Sequence, residues 1–232
     1  TSGLVTVKLP TPLTLSAEND TRPLLPKLGG WLFRQRPSIP LPLALALLLI
    51  PADTAGDSSM FAAGALIVAA GETLRLWAVH HIGVISRTRS DRLGPLVSTG
   101  PFAFVRNPLY IGNIALWVGF AVCATLVWLV PIFVVILSLE YHAIVRWEEE
   151  LLESRLGDAY RGYAAHVPRW VPNLHHRGHR GHGEQNLQDR TSVSSASPVM
   201  ESFSWIETLF SERGTLTAIA IGYLLLWLKH HR

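Results

Sequence analysis

The chain alternates between long apolar runs and short polar knots, and the runs outline four or five hydrophobic segments. The first run, Ile39 to Pro51, is short for a membrane span, which takes about 20 residues. It reaches that length only if its helix starts near Gly30, and otherwise lies shallow. Asp53, Thr54, Gly56 and Asp57 form a turn, and the next run, Ser59 to Ile82, is long enough to cross. The stretch from Leu109 to Leu139 is too long for one span and carries Pro131 in its middle. It reads as a helical hairpin or as one long helix kinked at the proline. The last run, Phe203 to Leu228, has Trp205 and Trp227 near its ends, and its pattern leaves a span and an interfacial helix both open.

These segments give an all-α, polytopic integral membrane bundle with about five membrane-associated helices. The expected organisation is a polar N-terminal segment (1–38), a membrane core (39–172), a polar linker (173–202) and a C-terminal membrane-associated helix (203–232). Residues 1–38 are proline-rich and carry Lys8, Arg22, Lys27, Arg34 and Arg36, without the signal-peptide order of basic, apolar and small residues. Arg87, Arg89, Arg92 and Arg106 lie in the loop 83–107, and the short loop 52–58 is acidic. The positive-inside rule then places the N-terminus, the 83–107 loop and the 141–212 region in the cytoplasm.

Composition strengthens the membrane reading. Of 232 residues, 49% are hydrophobic and only 16% charged, with mean hydropathy +0.27. Soluble domains usually carry about a quarter charged residues. Net charge is +3, and the basic residues cluster beside apolar runs without aromatic interleaving, so nucleic acid is not an expected partner. The single cysteine, Cys123, lies in an apolar run and reads as a small lipid-facing or packing residue and not as a catalytic thiol, since a thiolate is disfavoured in hydrocarbon. The tract His175 to Gly183 is interrupted by glycines and arginines and reads as a solvated loop, so no metal is expected.

Charged residues inside or beside membrane helices are costly and mark polar function. Glu72 and Arg75, three apart on one helical face, can pair with each other or face a cavity. The sharper features are two polar knots, Ser98 to Asn113 and Arg146 to Leu152. In the first, Gly100-Pro101 suits a turn and Pro108 the first turn of a helix. Free N–H groups at that helix start would face an anion. Arg106 can fork onto a carboxylate, Tyr110 offers a ring and a hydroxyl, and Gly112 allows a ligand or a neighbouring helix to come close. In the second knot, Glu148 and Glu149 can accept hydrogen bonds from an ammonium or a ribose diol.

The pattern Gly-Pro-Phe-x-x-Val-Arg-Asn-Pro-Leu-Tyr-x-Gly starts at Gly100. From Glu148 it is followed by Glu-Glu-x-Leu-Leu-x-x-x-Leu-Gly-x-x-Tyr-x-x-Tyr-x-x-x-Val-Pro-Arg. Together they resemble the isoprenylcysteine carboxyl methyltransferase family, whose outline the phospholipid methyltransferases share. The likeness runs from about Gly71 to Pro172 and includes Arg75-Leu76-Trp77-Ala78. It implies an S-adenosylmethionine pocket built from Gly100, Val105, Arg106, Asn107, Pro108, Leu109, Tyr110, Gly112, Glu148 and Glu149. It also implies that Tyr160 and Tyr163 close the cytoplasmic end. Arg146 is the nearest counterpart of a functional arginine that precedes the acidic pair, although its offset differs. Asn107 stands where the family has histidine, and asparagine cannot titrate near neutral pH.

The function so implied is methyl transfer from S-adenosylmethionine to an amphiphilic or prenylated acceptor entering from the bilayer. A carboxylate acceptor needs no general base, whereas an amine gives Glu149 that role. With the base inventory thin, the sequence tilts toward the carboxylate. A phospholipid N-methyltransferase is the nearest alternative. An NADPH-dependent reductase resembling the sterol reductases needs more spans and a basic phosphate site, and a non-catalytic scaffold binds neither cofactor.

Overall fold

A computed structural model describes residues 24–36, 38–51, 58–82, 96–172 and 204–230. Among them seven α-helices and one 3-10 turn make an all-α bundle. The helices are α1 (Leu24–Gln35), α2 (Pro40–Leu49), α3 (Ser58–Ile82), α4 (Pro108–Cys123), α5 (Leu129–Leu156), α6 (Asp158–His166) and α7 (Trp205–His230). Three of them, α3, α5 and α7, are long and apolar enough to cross a membrane, and α2 and α4 are shorter apolar helices. Leucines and isoleucines stand outward on these helices, among them Leu66, Leu139 and Leu224, as lipid-facing surfaces require.

The Leu109–Leu139 stretch is a hairpin. Its turn is held by Thr125 N–H donating to Val122 O (2.9 Å) and Leu126 N–H to Ala121 O (2.9 Å), with Thr125 at φ 59°. Pro131 falls in the first turn of α5, where its missing N–H costs no helical bond, so it starts a helix instead of kinking one.

Small residues set how closely the helices approach. Gly64 and Gly71 of α3 face Gly119 and Gly112 of α4, each pair seven residues apart. A Cβ on Gly119 would lie 2.8 Å from Gly64 O and 2.6 Å from a Val68 methyl. Backbone contact of this kind gives membrane helices their packing attraction, since apolar burial from lipid supplies little. Cys123 is buried at the same seam, its Sγ 3.5 Å from Phe61 O, which makes it a packing residue and not a lipid-facing one.

α1 was not foreseen in the polar N-terminal segment. It packs on α5 through Gly29 and Gly30, against Ala143 O and the Trp147 indole. The helix stops before α2 instead of extending it. α7 is one continuous helix of 26 residues, about 39 Å long at 1.5 Å per residue. The Trp205 ring stacks on His80 near the end of α3 (4.1 Å), and Lys229 Nζ donates to Leu47 O at the end of α2 (2.6 Å). The helix therefore runs the length of the bundle, which favours the span over the interfacial alternative.

Glu72 and Arg75 pair (3.2 Å), as their spacing implied. Arg75 is drawn further into a network with Asn113 of α4, Glu212 of α7 (2.8 Å) and Thr215 of α7 (3.2 Å). The tract His175–Gly183, the arginines 87, 89 and 92, and the loop 52–57 lie outside the described residues.

Candidate cofactor and acceptor site

The two knots meet because the hairpin returns α5 alongside the start of α4. The 3-10 turn Gly100–Ala103 begins at Gly100 with φ 59°, and a Cβ there would sit 2.5 Å from the His81 ring. The turn thereby lies against the end of α3. Two further bonds fasten this segment to the chain beyond α6. Arg106 N–H donates to Pro168 O (2.9 Å), and Asn107 Nδ2 donates to Arg169 O (3.1 Å). The Tyr163 hydroxyl of α6 adds a bond to Phe102 O (2.8 Å). Asn107 is thus a clamp on the backbone, and this work needs a donor but no titrating ring.

At the centre, Glu149 holds two guanidinium groups. Arg106 Nη1 lies 2.9 Å from Oε1, while Arg169 takes the carboxylate as a fork, Nε to Oε1 at 2.9 Å and Nη2 to Oε2 at 2.6 Å. Forked pairs of this kind are strong and directional. The bond to Glu149, more than any other influence, raises the Arg169 pKa above its ordinary value and keeps it charged. The Tyr160 hydroxyl is 3.5 Å from Arg106 Nη1, and burial, with the Glu149 charge behind it, holds its proton on. Burial likewise pushes the Tyr163 phenol up to about 12. Beside this group the Tyr110 hydroxyl donates to Glu148 Oε1 (2.9 Å), and its ring stacks on Tyr141 with centroids 4.7 Å apart.

All of these side chains except Arg169 line one cavity of about 1220 Å³. Of the residues expected from sequence, Arg106, Asn107, Pro108, Leu109, Tyr110, Glu148 and Glu149 line it, together with Tyr160 and Tyr163. The other expected residues sit elsewhere. Gly100 and buried Val105 shape the loop. Gly112 lies against Gly71 O and the Arg75 side chain, so it serves the neighbouring helix and not a ligand. Arg146 is exposed and borders a smaller, adjoining cleft of about 390 Å³, whose lining includes Glu150, Glu153 and Arg161 and also Arg106, Glu149, Tyr160 and Arg169. Residues 146, 149, 150 and 153 share one helical face of α5, whereas Tyr141, Ile144 and Glu148 share another. Of the α5 residues only Glu149 lines both hollows, and Arg106 and Tyr160 join it there.

Two arginines of the site carried no role in the sequence reading. Arg169 closes the Val-Pro-Arg end of the second motif, which was itself a signal. Arg36 lies over the Phe33 ring at 4.2 Å and reaches the cavity because α1 packs on α5.

The donor set suits a zwitterionic cofactor. Arg106 Nε is buried without a hydrogen-bond partner, an orphan donor that a carboxylate would satisfy. The start of α4 has no side-chain cap, so its first-turn N–H groups face the same direction of charge. Glu148 uses Oε1 for Tyr110 and can present Oε2 to a donor. Glu149 differs from expectation, because both of its oxygens are already bonded to arginines. Among the described residues no three of His, Cys, Asp or Glu gather as metal ligands.

Residues 59–159 match the phospholipid methyltransferase family. The matched region takes in α3, the first knot, the hairpin and the acidic pair, and ends just short of Tyr160. Two curated relatives are similar over more of the chain. The nickel-cobalt-cadmium resistance protein NccN of Alcaligenes xylosoxydans xylosoxydans is 28% identical over 169 residues, 67% of this chain and 76% of the relative. The cobalt-zinc-cadmium resistance protein CzcN of Cupriavidus metallidurans is 27% identical over 163 residues, 67% of this chain and 70% of the relative. No solved structure matches the chain.

Proposed function

We propose that this chain is an integral-membrane S-adenosylmethionine-dependent methyltransferase whose acceptor is an amphiphile. The observation that carries the reading is the joining of the two knots, Arg106–Glu149–Arg169 beside Tyr110–Glu148, at one end of a cavity that continues between apolar helices. The match to a methyltransferase family over 59–159 supports it. So does the clustering of arginines at this end, which under the positive-inside rule faces the cofactor site to the cytoplasm.

Within this reading Arg106 Nε and the start of α4 hold the cofactor's carboxylate, and Glu148 Oε2 accepts from its ammonium or ribose hydroxyls. When bound, S-adenosylmethionine supplies a methyl carbon already activated by its sulfonium. The chain's own task is alignment, since holding an acceptor in line behind a reacting carbon supplies much of the rate. Glu149 aims Arg106 and ties α5 to the segment after α6. With both oxygens engaged it is a positioning residue and not a base. Tyr160 and Tyr163 screen this end from water. The family match covers phospholipid and isoprenylcysteine types alike, so the isoprenylcysteine-type carboxylate acceptor is a finer proposal that rests on motif resemblance.

The direct test supplies methyl-labelled S-adenosylmethionine to purified protein with a membrane lipid extract. Label should move into an extractable amphiphile, whose headgroup identifies the acceptor. Label that stays in the aqueous phase, with folded protein, removes the methyltransferase reading.

A further inference from the structure

The cavity has a second polar end, deeper in the bundle, that the cofactor does not account for. Glu140 lies nine residues before Glu149 on α5, about 13 Å further along the helix axis. The residue is buried, with a relative exposure of 8%. It lines the same cavity, and its Oε2 is fully buried with no hydrogen-bond partner. Arg75, Asn113, Glu212 and Thr215 line the cavity as well. Arg75 is the nearest group that could receive an anion, but every one of its nitrogens already donates, with four of its five N–H groups engaged. Nε goes to Glu72, Nη1 to Asn113, and Nη2 to Glu212 and Thr215.

The deep end therefore offers an acceptor without a partner and a guanidinium with no donor nitrogen unused. A carboxylate placed there would meet Glu140 and find all but one of the Arg75 N–H groups engaged. A hydrogen-bond donor would satisfy Glu140 Oε2, and an unsatisfied buried polar atom is expensive enough in this setting to demand a reason. The same cavity has apolar walls, among them Leu41, Ala44 and Leu48 of α2 and Ala218, Gly222 and Leu225 of α7. They suit an alkyl or polyprenyl tail.

We infer that Glu140 is the specificity-determining residue for the methyl acceptor, selecting a hydrogen-bond-donating head, an amine or hydroxyl on an apolar tail, over a carboxylate. The inference rests on the methyltransferase reading for the word acceptor, but the binding preference stands without it. It reverses the sequence-based tilt toward a carboxylate.

The test measures binding of dodecylamine, dodecanol and dodecanoate to the full chain in nanodiscs, against protein-free nanodiscs, and of S-adenosylhomocysteine in parallel. The wild type should prefer the amine, the alcohol or both over the acid by at least tenfold. Glu140→Gln, whose amide can donate to a carboxylate, should lose that preference, and Glu140→Asp should keep it. A hydrophobic carbodiimide supplies a measurement that needs no variant. Its labelling of Glu140 in wild-type protein, read by mass spectrometry, should be blocked by the preferred donor and not by dodecanoate. Equal affinities in the wild type, an unchanged preference in Glu140→Gln, or equal protection by the acid overturns the inference. Failure to bind S-adenosylhomocysteine with the preference intact would instead remove the cofactor assignment alone.

Discussion

Glu149→Ala is expected to weaken S-adenosylhomocysteine binding about 100-fold or more while leaving the helices in place. The substitution strands Arg106 and Arg169, whose side chains are only 15% and 26% exposed, without the carboxylate they share. Removing one partner of a buried ion pair typically costs about 3–5 kcal/mol, because the charge left behind stays desolvated. The partial exposure of Arg169 places this case toward the lower figure, and each 1.4 kcal/mol is about tenfold in affinity. The loss falls on binding because Arg106 loses its aim and Arg169 no longer fixes the segment that Asn107 clamps. Thermal-shift titration of the solubilised protein, with circular dichroism to check helicity, measures it. Arg146→Ala is the matched comparison. Its exposed side chain borders the smaller cleft, so affinity should stay within about twofold, as for an ordinary surface change. A large effect at Arg146 and none at Glu149 would relocate the site.

The second large effect concerns the seam between α3 and α4. Gly119→Leu should destabilise the bundle by about 3 kcal/mol or more, beyond the usual cost of overpacking. The first added carbon already meets Gly64 O and Val68 N at 2.8 Å, and backbone cannot swing aside as a side chain can. The helices must separate, which pulls Arg75 away from Asn113 and disturbs the cavity from behind. Gly162→Ala provides the control, since nothing lies within 4 Å of a Cβ at that exposed helical position. It should be neutral or gain about 1 kcal/mol from helix propensity. Heat inactivation of nanodisc-embedded protein ranks the two, and equal half-lives would deny the glycine seam its role.

The apolar runs made α3 and the hairpin legible, because a bilayer demands length and hydrophobicity and little else. The two knots were legible as motifs, and their meeting followed from the hairpin between them. Other features were hidden for physical reasons. α1 sits among prolines and basic residues, and its Gly29–Gly30 contact with α5 is a tertiary fact with no local signature. Gly112 reads the same whether a ligand or a helix approaches it, and only the Arg75 side chain beside it decides. Arg146 shares a helical face with Glu149, Glu150 and Glu153, which helical periodicity alone makes legible, whereas the smaller cleft that it borders with Arg106 and Arg169 forms only through the fold. The bonding of both Glu149 oxygens depends on Arg169, 20 residues away across a helix and a turn. Glu140 sits in an apolar helix where its want of a partner cannot be read from neighbours in sequence.

The central claim is that the joined knots form an S-adenosylmethionine pocket. Calorimetric titration of the purified, folded chain with S-adenosylhomocysteine and, separately, NADPH tests it most directly. The account predicts saturable one-site binding of S-adenosylhomocysteine that Arg106→Ala abolishes, with no heat of binding from NADPH. Binding of NADPH alone, or S-adenosylhomocysteine binding that Arg106→Ala leaves unchanged, would contradict it.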